Sequence, residues 1–444
     1  MSISDTVSSR TSRASRKEKR SLEVQASQAS RAIDALIEVS APRVPSRREL
    51  LSRAPILVVG PSGAGKSTIC KQFSNFYAPH VLEGERALWR PLVFLNLIAA
   101  VRAIIDDVDY AIDTGAAVVN PEVAELRHRL LPLISMEDSL VNEFNHDMGV
   151  GRRVRPCMRL SSLQDGVPRL PGPAPIRELV ARTICESAQA IRELWRNLYV
   201  QHLVRERKVR VDTNAAYFFN ALPRIVDIPY VPTIEDIVHA RADSYGMIEY
   251  RIPTELRGQR RTWMLQDVSG VKPVWANFFD ADGLSKASKT VVFVMSIAAF
   301  DEYILEEPFT NCIEHALKMF AEICSNRLLA GAHFIVMLNK CDVVKQKLQR
   351  GVRVREFLRG FGKRPNTYDE YADFIRAHVE RVYERRPGAD RMPGDGKRLT
   401  VVSDFQARAW GSRELMDGST VFHDAGVGEV IQSQRVQLPS ECSA

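Results

Sequence analysis

Two hydrophobic patterns divide this chain, one made of short unbroken apolar runs and one with helical spacing. Ile56-Leu57-Val58-Val59 is a buried-strand run, and Ser67–Phe73 just beyond it can form helix. Strand signals then stop. Leu88–Val108 instead places Leu92, Leu95, Ile98, Val101, Ile105 and Val108 on one face of a long helix. Arg182–Arg207, with Ile184, Ile191, Leu194, Trp195, Leu198 and Leu203, predicts a second helix, and Thr213–Leu222 a third that Pro223 stops. Between the first two, Gly149–Pro175 is an irregular loop rich in Arg, Gly and Pro. Strand signals return at Met247–Ile252, which alternates, and at Thr262–Val268, Thr290–Ser296, His333–Asn339 and Arg398–Ser403, which are short apolar runs suited to a sheet covered on both faces. Helical stretches at Thr310–Ser325, Val344–Leu358 and Tyr368–Arg385 separate them. The alternation predicts an α/β fold with a doubly wound, mostly parallel six-stranded sheet that takes its ligand at the strands' C-terminal edge. The strandless interval predicts an inserted all-helical domain.

The two ends differ from this body. Leu22, Ala26, Ala29, Ile33, Leu36 and Ile37 predict an amphipathic helix over Leu22–Val39, ended by Pro42 and Pro45. Before it, Arg10, Arg13, Arg16, Lys17, Lys19 and Arg20 face only Asp5 and Glu18, which reads as a solvated, disordered basic tail and not as a nucleic-acid site. The resulting division is a tail (1–21), helix and linker (22–53), first part of the sheet domain (54–81), helical insert (82–236), second part of the sheet domain (237–410) and an irregular C-terminal tail (411–444). At 444 residues more than one core is expected. Seven cysteines without zinc spacing point to free thiols and a cytoplasmic setting. No apolar run is long enough to predict a transmembrane segment, and Met1–Asp5 lacks the apolar core of a signal peptide.

The chemistry begins at Gly60-Pro61-Ser62-Gly63-Ala64-Gly65-Lys66-Ser67-Thr68, which fits G-x-x-x-x-G-K-[ST] between a strand and a helix. In such a loop the backbone N–H groups wrap phosphates, Lys66 reaches the β- and γ-phosphates, and the Ser67 hydroxyl binds Mg²⁺. The loop alone would suit a nucleoside monophosphate kinase or a transporter ATPase. Asn339-Lys340-Cys341-Asp342 at the end of a later strand separates the readings. Asp342 can accept from guanine N1 and N2, the Lys340 stem can lie along the base, and Asn339 can tie this turn to the phosphate loop. Asp267-Val268-Ser269-Gly270 adds a carboxylate able to hold a Mg²⁺-bound water and an amide, Gly270, able to meet a γ-phosphate. GTP or GDP with Mg²⁺ is therefore the expected ligand.

The segment from Leu222 to Arg241 resembles heterotrimeric G-protein α subunits, through Arg224, Ile225, Tyr230, Pro232, Thr233, Asp236 and Arg241. The inserted helical domain is that family's hallmark. The resemblance runs from about residue 30 to about 405. It implies a Ras-like GTPase domain with nucleotide buried between two domains and a GTP-dependent signalling switch. It also implies that Arg241 is a built-in arginine finger, that Ser244 ligates Mg²⁺ as a switch residue, and that Thr400–Asp404 is the loop touching the guanine carbonyl, with Val402 in place of a small residue. A βγ dimer is the implied partner of the Leu22–Val39 helix, and a receptor that of the C-terminal tail; the effector is unspecified.

The chain departs from that pattern where hydrolysis is concerned. Val271 stands where the family's second switch has a glutamine that orients the attacking water, and valine can neither donate nor accept a hydrogen bond. Ser62 replaces a glycine, and Gly63 replaces a glutamate that pairs with the finger. Groups for binding are kept and groups for hydrolysis are damaged, so slow GTP hydrolysis is expected; the alternative is a scaffold of the same fold that holds one nucleotide without cycling. Gly411, Gly418, Gly426, Gly428 and Pro439 break up the tail and weaken the receptor expectation. Ser2 follows Met1, and no cysteine precedes Cys70, so neither N-terminal myristoylation nor palmitoylation is expected. Attachment to the inner face of a membrane would rest on the basic tail and on partners.

Overall fold

The computed structural model describes residues 55–115, 117–118, 120–147, 156–158, 175–206, 213–227, 229–244, 247–256, 259–270, 290–304, 307–386 and 399–405, all within one compact unit. The basic tail, the Leu22–Val39 segment, most of the Gly149–Pro175 loop, Val271 and 411–444 lie outside the described residues.

Six strands form the main sheet. β1 is Ile56–Val59, and a two-residue pair, β2 (Cys157–Met158) and β3 (Asp243–Ser244), lies apart from it. β4 (Met247–Leu256), β5 (Gln259–Val268), β6 (Thr290–Ser296), β7 (His333–Asn339) and β8 (Leu399–Phe405) complete the sheet in the order β4-β5-β1-β6-β7-β8. Only β4 runs antiparallel to its neighbour, in a hairpin with β5; the other pairings are parallel. Because β5 and β6 flank β1 on opposite sides, the chain reverses its winding there, and a crevice opens beyond the C-terminal end of β1.

Alternate residues of the central strands enter different cores. Leu57 and Val59 pack with Phe293, Phe320, Phe334 and Tyr371 on one face, while Ile56 and Val58 pack with Ile69, Phe73 and Trp263 on the other. The first face is covered by α10 (Cys312–Cys324) and α13 (Tyr368–Glu384), and the second by α1 (Lys66–Tyr77). Two-sided burial is what the unbroken apolar runs of β6 and β7 require, and both strands are buried almost throughout.

The third core is helical. It joins α2 (Pro79–Glu85), α3 (Arg90–Asp113), α4 (Pro121–Ser135), α5 (Glu137–Asp147), α6 (Pro175–Arg196), α7 (Leu198–Arg205) and α8 (Thr213–Ile225), and it includes Ile237 of α9 (Ile234–His239) and Ile248 of β4. The stretch Pro79–Asp113 is long and apolar enough to cross a membrane, but it is mostly buried at the centre of this core.

The structure changes several expected boundaries. Helices α4 and α5 occupy an interval for which the pattern predicts none: Asn120 caps α4 by accepting from the Glu122 and Val123 N–H groups, and Pro132 lies inside the helix. The helix expected over Arg182–Arg207 is two, broken where Asn197 accepts from Tyr199 and Val200 N–H and starts α7. Pro223 does not stop α8 but sits in its last turn, where a missing N–H costs one bond. Val344–Leu358 is divided between α11 (Cys341–Gln349) and α12 (Val354–Phe357), with Gly351 at φ 84° between them.

Candidate nucleotide-binding site

The phosphate loop spans Gly60–Gly65, from the end of β1 to the first turn of α1. At Gly65, φ is 105°, and a Cβ there would stand 2.3 Å from Asn339 Nδ2, so only glycine lets the two loops meet. The expected tie is formed: Asn339 Nδ2 donates to the Ala64 carbonyl at 2.8 Å. Asn339 Oδ1 accepts from Lys340 N–H at 2.8 Å and holds the turn. Lys340 is the one non-glycine among the described residues with positive φ, 66°. A backbone state costing about 1–3 kcal/mol persists only where its surroundings impose it. It starts α11 so that Asp342 falls in the first turn.

Lys66 is buried, and its Nζ donates to the Gly60 and Pro61 carbonyls, each at 2.9 Å. Burial lowers its pKa, against the pull of Asp267. Asp267 is fully buried at the end of β5, and its Oδ2 accepts from the Ser67 hydroxyl at 2.5 Å. Burial pushes the Asp267 carboxyl up, although Lys66, the Ser67 bond and Lys71 all favour its charge. Its Oδ1 is buried with no hydrogen-bond partner. Two hard oxygen ligands in contact, one with an unmet lone pair, are what a Mg²⁺ site provides, and the residues fit that ion.

Gly270 rests against the same loop: a Cβ there would lie 2.4 Å from Ser62 N and 2.8 Å from Gly60 O. Ala64 is buried, Thr68 half-buried, and Ser62 and Gly63 are exposed at the rim. Ser244 is placed by its backbone alone, paired with Met158. Val402 corrects an expectation. Thr400–Asp404 is strand and not loop, and Val402 pairs with Met337 and packs beside Val294 and Ile335.

The residues before Arg241 converge on one carboxylate. Asp236 is fully buried, and both oxygens take a bond from the Arg224 guanidinium. Tyr217 and Tyr230 hydroxyls donate to it at 2.9 and 2.8 Å, and Thr233 N–H at 2.7 Å. The Thr233 hydroxyl accepts from Asp236 N–H in return, closing a capping box on α9. Burial opposes the charge on Asp236, but Arg224, Thr233, Tyr230 and Tyr217 overcome it and hold its carboxyl below the ordinary range. Arg241 follows α9 and is exposed.

Two residues near Arg241 escaped the sequence reading. Lys71 Nζ donates to the Ile237 and Ala240 carbonyls at 2.9 and 2.7 Å and lies 4.5 Å from the Trp89 ring. Burial pushes its ammonium down to about 7. Asn96, on α3, binds the backbone of Arg241. A lysine or asparagine on a helix carries no motif, and no sequence signal marks either one.

The crevice at the winding reversal, with its phosphate loop locked to an Asn-Lys-x-Asp turn, defines a P-loop nucleotide-binding protein. The chain belongs to the G-protein alpha subunit family, whose model it matches over residues 27–398. It is 31% identical to the guanine nucleotide-binding protein alpha-7 subunit of Caenorhabditis briggsae over 66% of this chain and 69% of that one. It is 24% identical to a guanine nucleotide-binding protein alpha subunit of Coprinellus congregatus over 72% and 75%. With the G(f) alpha subunit of Drosophila melanogaster it shares 29% identity over 48% of this chain, and it spans only half of that protein's length. Proteins of this family bind guanine nucleotides with Mg²⁺ and act as GTPase signalling switches.

Proposed function

We propose that this chain is a GTP/GDP switch that holds GTP better than it cleaves it. The observation that carries the reading is the lock between the two loops: Asn339 Nδ2 on Ala64 O fixes a base-reading turn against a phosphate-reading one. In this reading Asp342 accepts from guanine N1–H and N2–H, a pattern adenine cannot complete. Lys66 exchanges the Gly60 and Pro61 carbonyls for phosphate oxygens. Ser67, Ser244 and, through water, Asp267 would hold Mg²⁺, which neutralises phosphate charge when bound. Arg241 supplies its guanidinium to the transferring phosphoryl group. Such fingers are worth about 10³–10⁵ in rate, a range drawn from GTPases that include Gα subunits themselves.

Cleavage also needs an oriented water. The Val271 side chain offers no polar atom for that purpose, and Ser62 adds a side chain at the rim where the reaction would occur. Single-turnover hydrolysis of bound GTP should therefore be slow in the wild type, and Val271→Gln should accelerate it by about tenfold or more. A wild-type rate already at that of glutamine-bearing relatives, with no gain from the substitution, would overturn the slow-hydrolysis reading.

A further inference from the structure

Arg241 lies in the short open stretch between α9 and β3, outside any ladder that would fix its backbone. Three consecutive polar groups about its Cα are nonetheless each held by a side chain from another element. The Ala240 carbonyl accepts from Lys71 Nζ at 2.7 Å. Arg241 N–H donates to Asn96 Oδ1 at 3.0 Å, and the Arg241 carbonyl accepts from Asn96 Nδ2 at 2.9 Å. Asn96 Nδ2 also donates to the Leu92 carbonyl at 2.7 Å, one turn back along its own helix. That bond locks the amide's rotamer and settles which end carries the nitrogen.

The support behind the clamp is buried. Leu92 and Ile98, on either side of Asn96 in α3, are fully buried in the helical core. Gly63 in the phosphate loop has no side chain, and a Cβ there would meet nothing within 4 Å. The amide is matched in register to one residue, since outside its own helix its donor and its acceptor engage the carbonyl and N–H of Arg241.

We propose that Asn96 is a positioning residue for Arg241, through which the helical insert sets the finger's location over the reacting phosphate. The inference rests on Arg241 acting as the finger. Holding a catalytic group to within a fraction of an ångström matters because a 1 Å misplacement can cost about 10²-fold in rate.

A double-mutant cycle on the full chain tests it, with single-turnover GTP hydrolysis, GTPγS affinity and thermal midpoint measured for each variant. Asn96→Ala should slow hydrolysis by about tenfold and leave GTPγS affinity within about twofold; on an Arg241→Ala background it should cost nothing further. Asn96→Asp, which keeps the acceptor for Arg241 N–H and loses the donor, should fall between. An unchanged rate for Asn96→Ala, or an equal loss on both backgrounds, would overturn the positioning role while leaving the finger intact. If Arg241→Ala itself leaves the rate unchanged, the finger reading fails and this inference with it. Should Asn96→Ala not fold, Asn96→Asp decides by the same criteria.

Discussion

At the scale of single residues, Asp236 shows what a sequence motif conceals. Arg224, Tyr230, Thr233 and Asp236 were legible as a family signature, but nothing in their order says that the first three meet at the buried Asp236 carboxylate. Tyr217, which joins them, lies outside the signature. Replacing Asp236 by Asn leaves the Arg224 guanidinium without its counter-charge. Arg224 is 41% exposed, so solvent screens part of the loss, and about 2–4 kcal/mol at pH 7 is expected. The sign of the pH effect follows from the depressed carboxyl. The contribution is fully present above the unfolded value of 3.8 and is lost as pH falls through the lower folded value. Urea midpoints at pH 7 and pH 3 should show the gap between wild type and Asp236→Asn narrowing at the lower pH. An equal gap at both would show that the charge is not what Asp236 supplies.

Among elements, the central strands β6 and β7 were legible to the residue because they are buried on both faces and leave unbroken apolar runs, whereas β4 and β5 run several residues past the expected Met247–Ile252 and Thr262–Val268. β6 and β7 begin and end where the pattern places them. Helices of the insert were less legible. In α4 the buried set Val123, Leu126, Leu130 and Leu133 has helical spacing, but Pro132 in its midst reads as a breaker. At Val402 two expectations conflicted, a strand over Arg398–Ser403 and, from the resemblance, a loop over Thr400–Asp404, and the parallel pairing of β8 on β7 bears out the strand. The Leu22–Val39 segment lies outside the described residues; the helix expected there is the proposed seat of a βγ dimer. Pull-down with such a dimer should succeed for the GDP-loaded chain and fail after GTPγS loading; binding indifferent to nucleotide would favour the non-cycling scaffold.

Over the whole molecule, Arg241 sits where the helical core meets the sheet. Ile237 and Ala240 just before it belong to the helical core, as does Ile248 of β4 just after it. Lys71 from the phosphate-loop helix and Asn96 from the insert reach the same few backbone atoms. A switch built this way couples the insert to the nucleotide through the residue that would do the chemistry. The phosphate loop, the proposed base-reading turn and the proposed metal ligands were readable because each needs particular residue types at fixed spacing. The clamp was not, because hydrogen bonds to backbone ask only for an amide or an ammonium in the right place.

Guanine selectivity is the property on which the switch reading depends most. Competition of GDP and ADP for bound fluorescent GDP, with Mg²⁺ present, measures it directly. GDP should displace the probe near stoichiometry, and ADP should be weaker by about 10⁴-fold, because adenine leaves the acceptor of Asp342 unmatched. Asp342→Ala should shrink that gap sharply. Equal displacement by ADP and GDP would contradict the central claim.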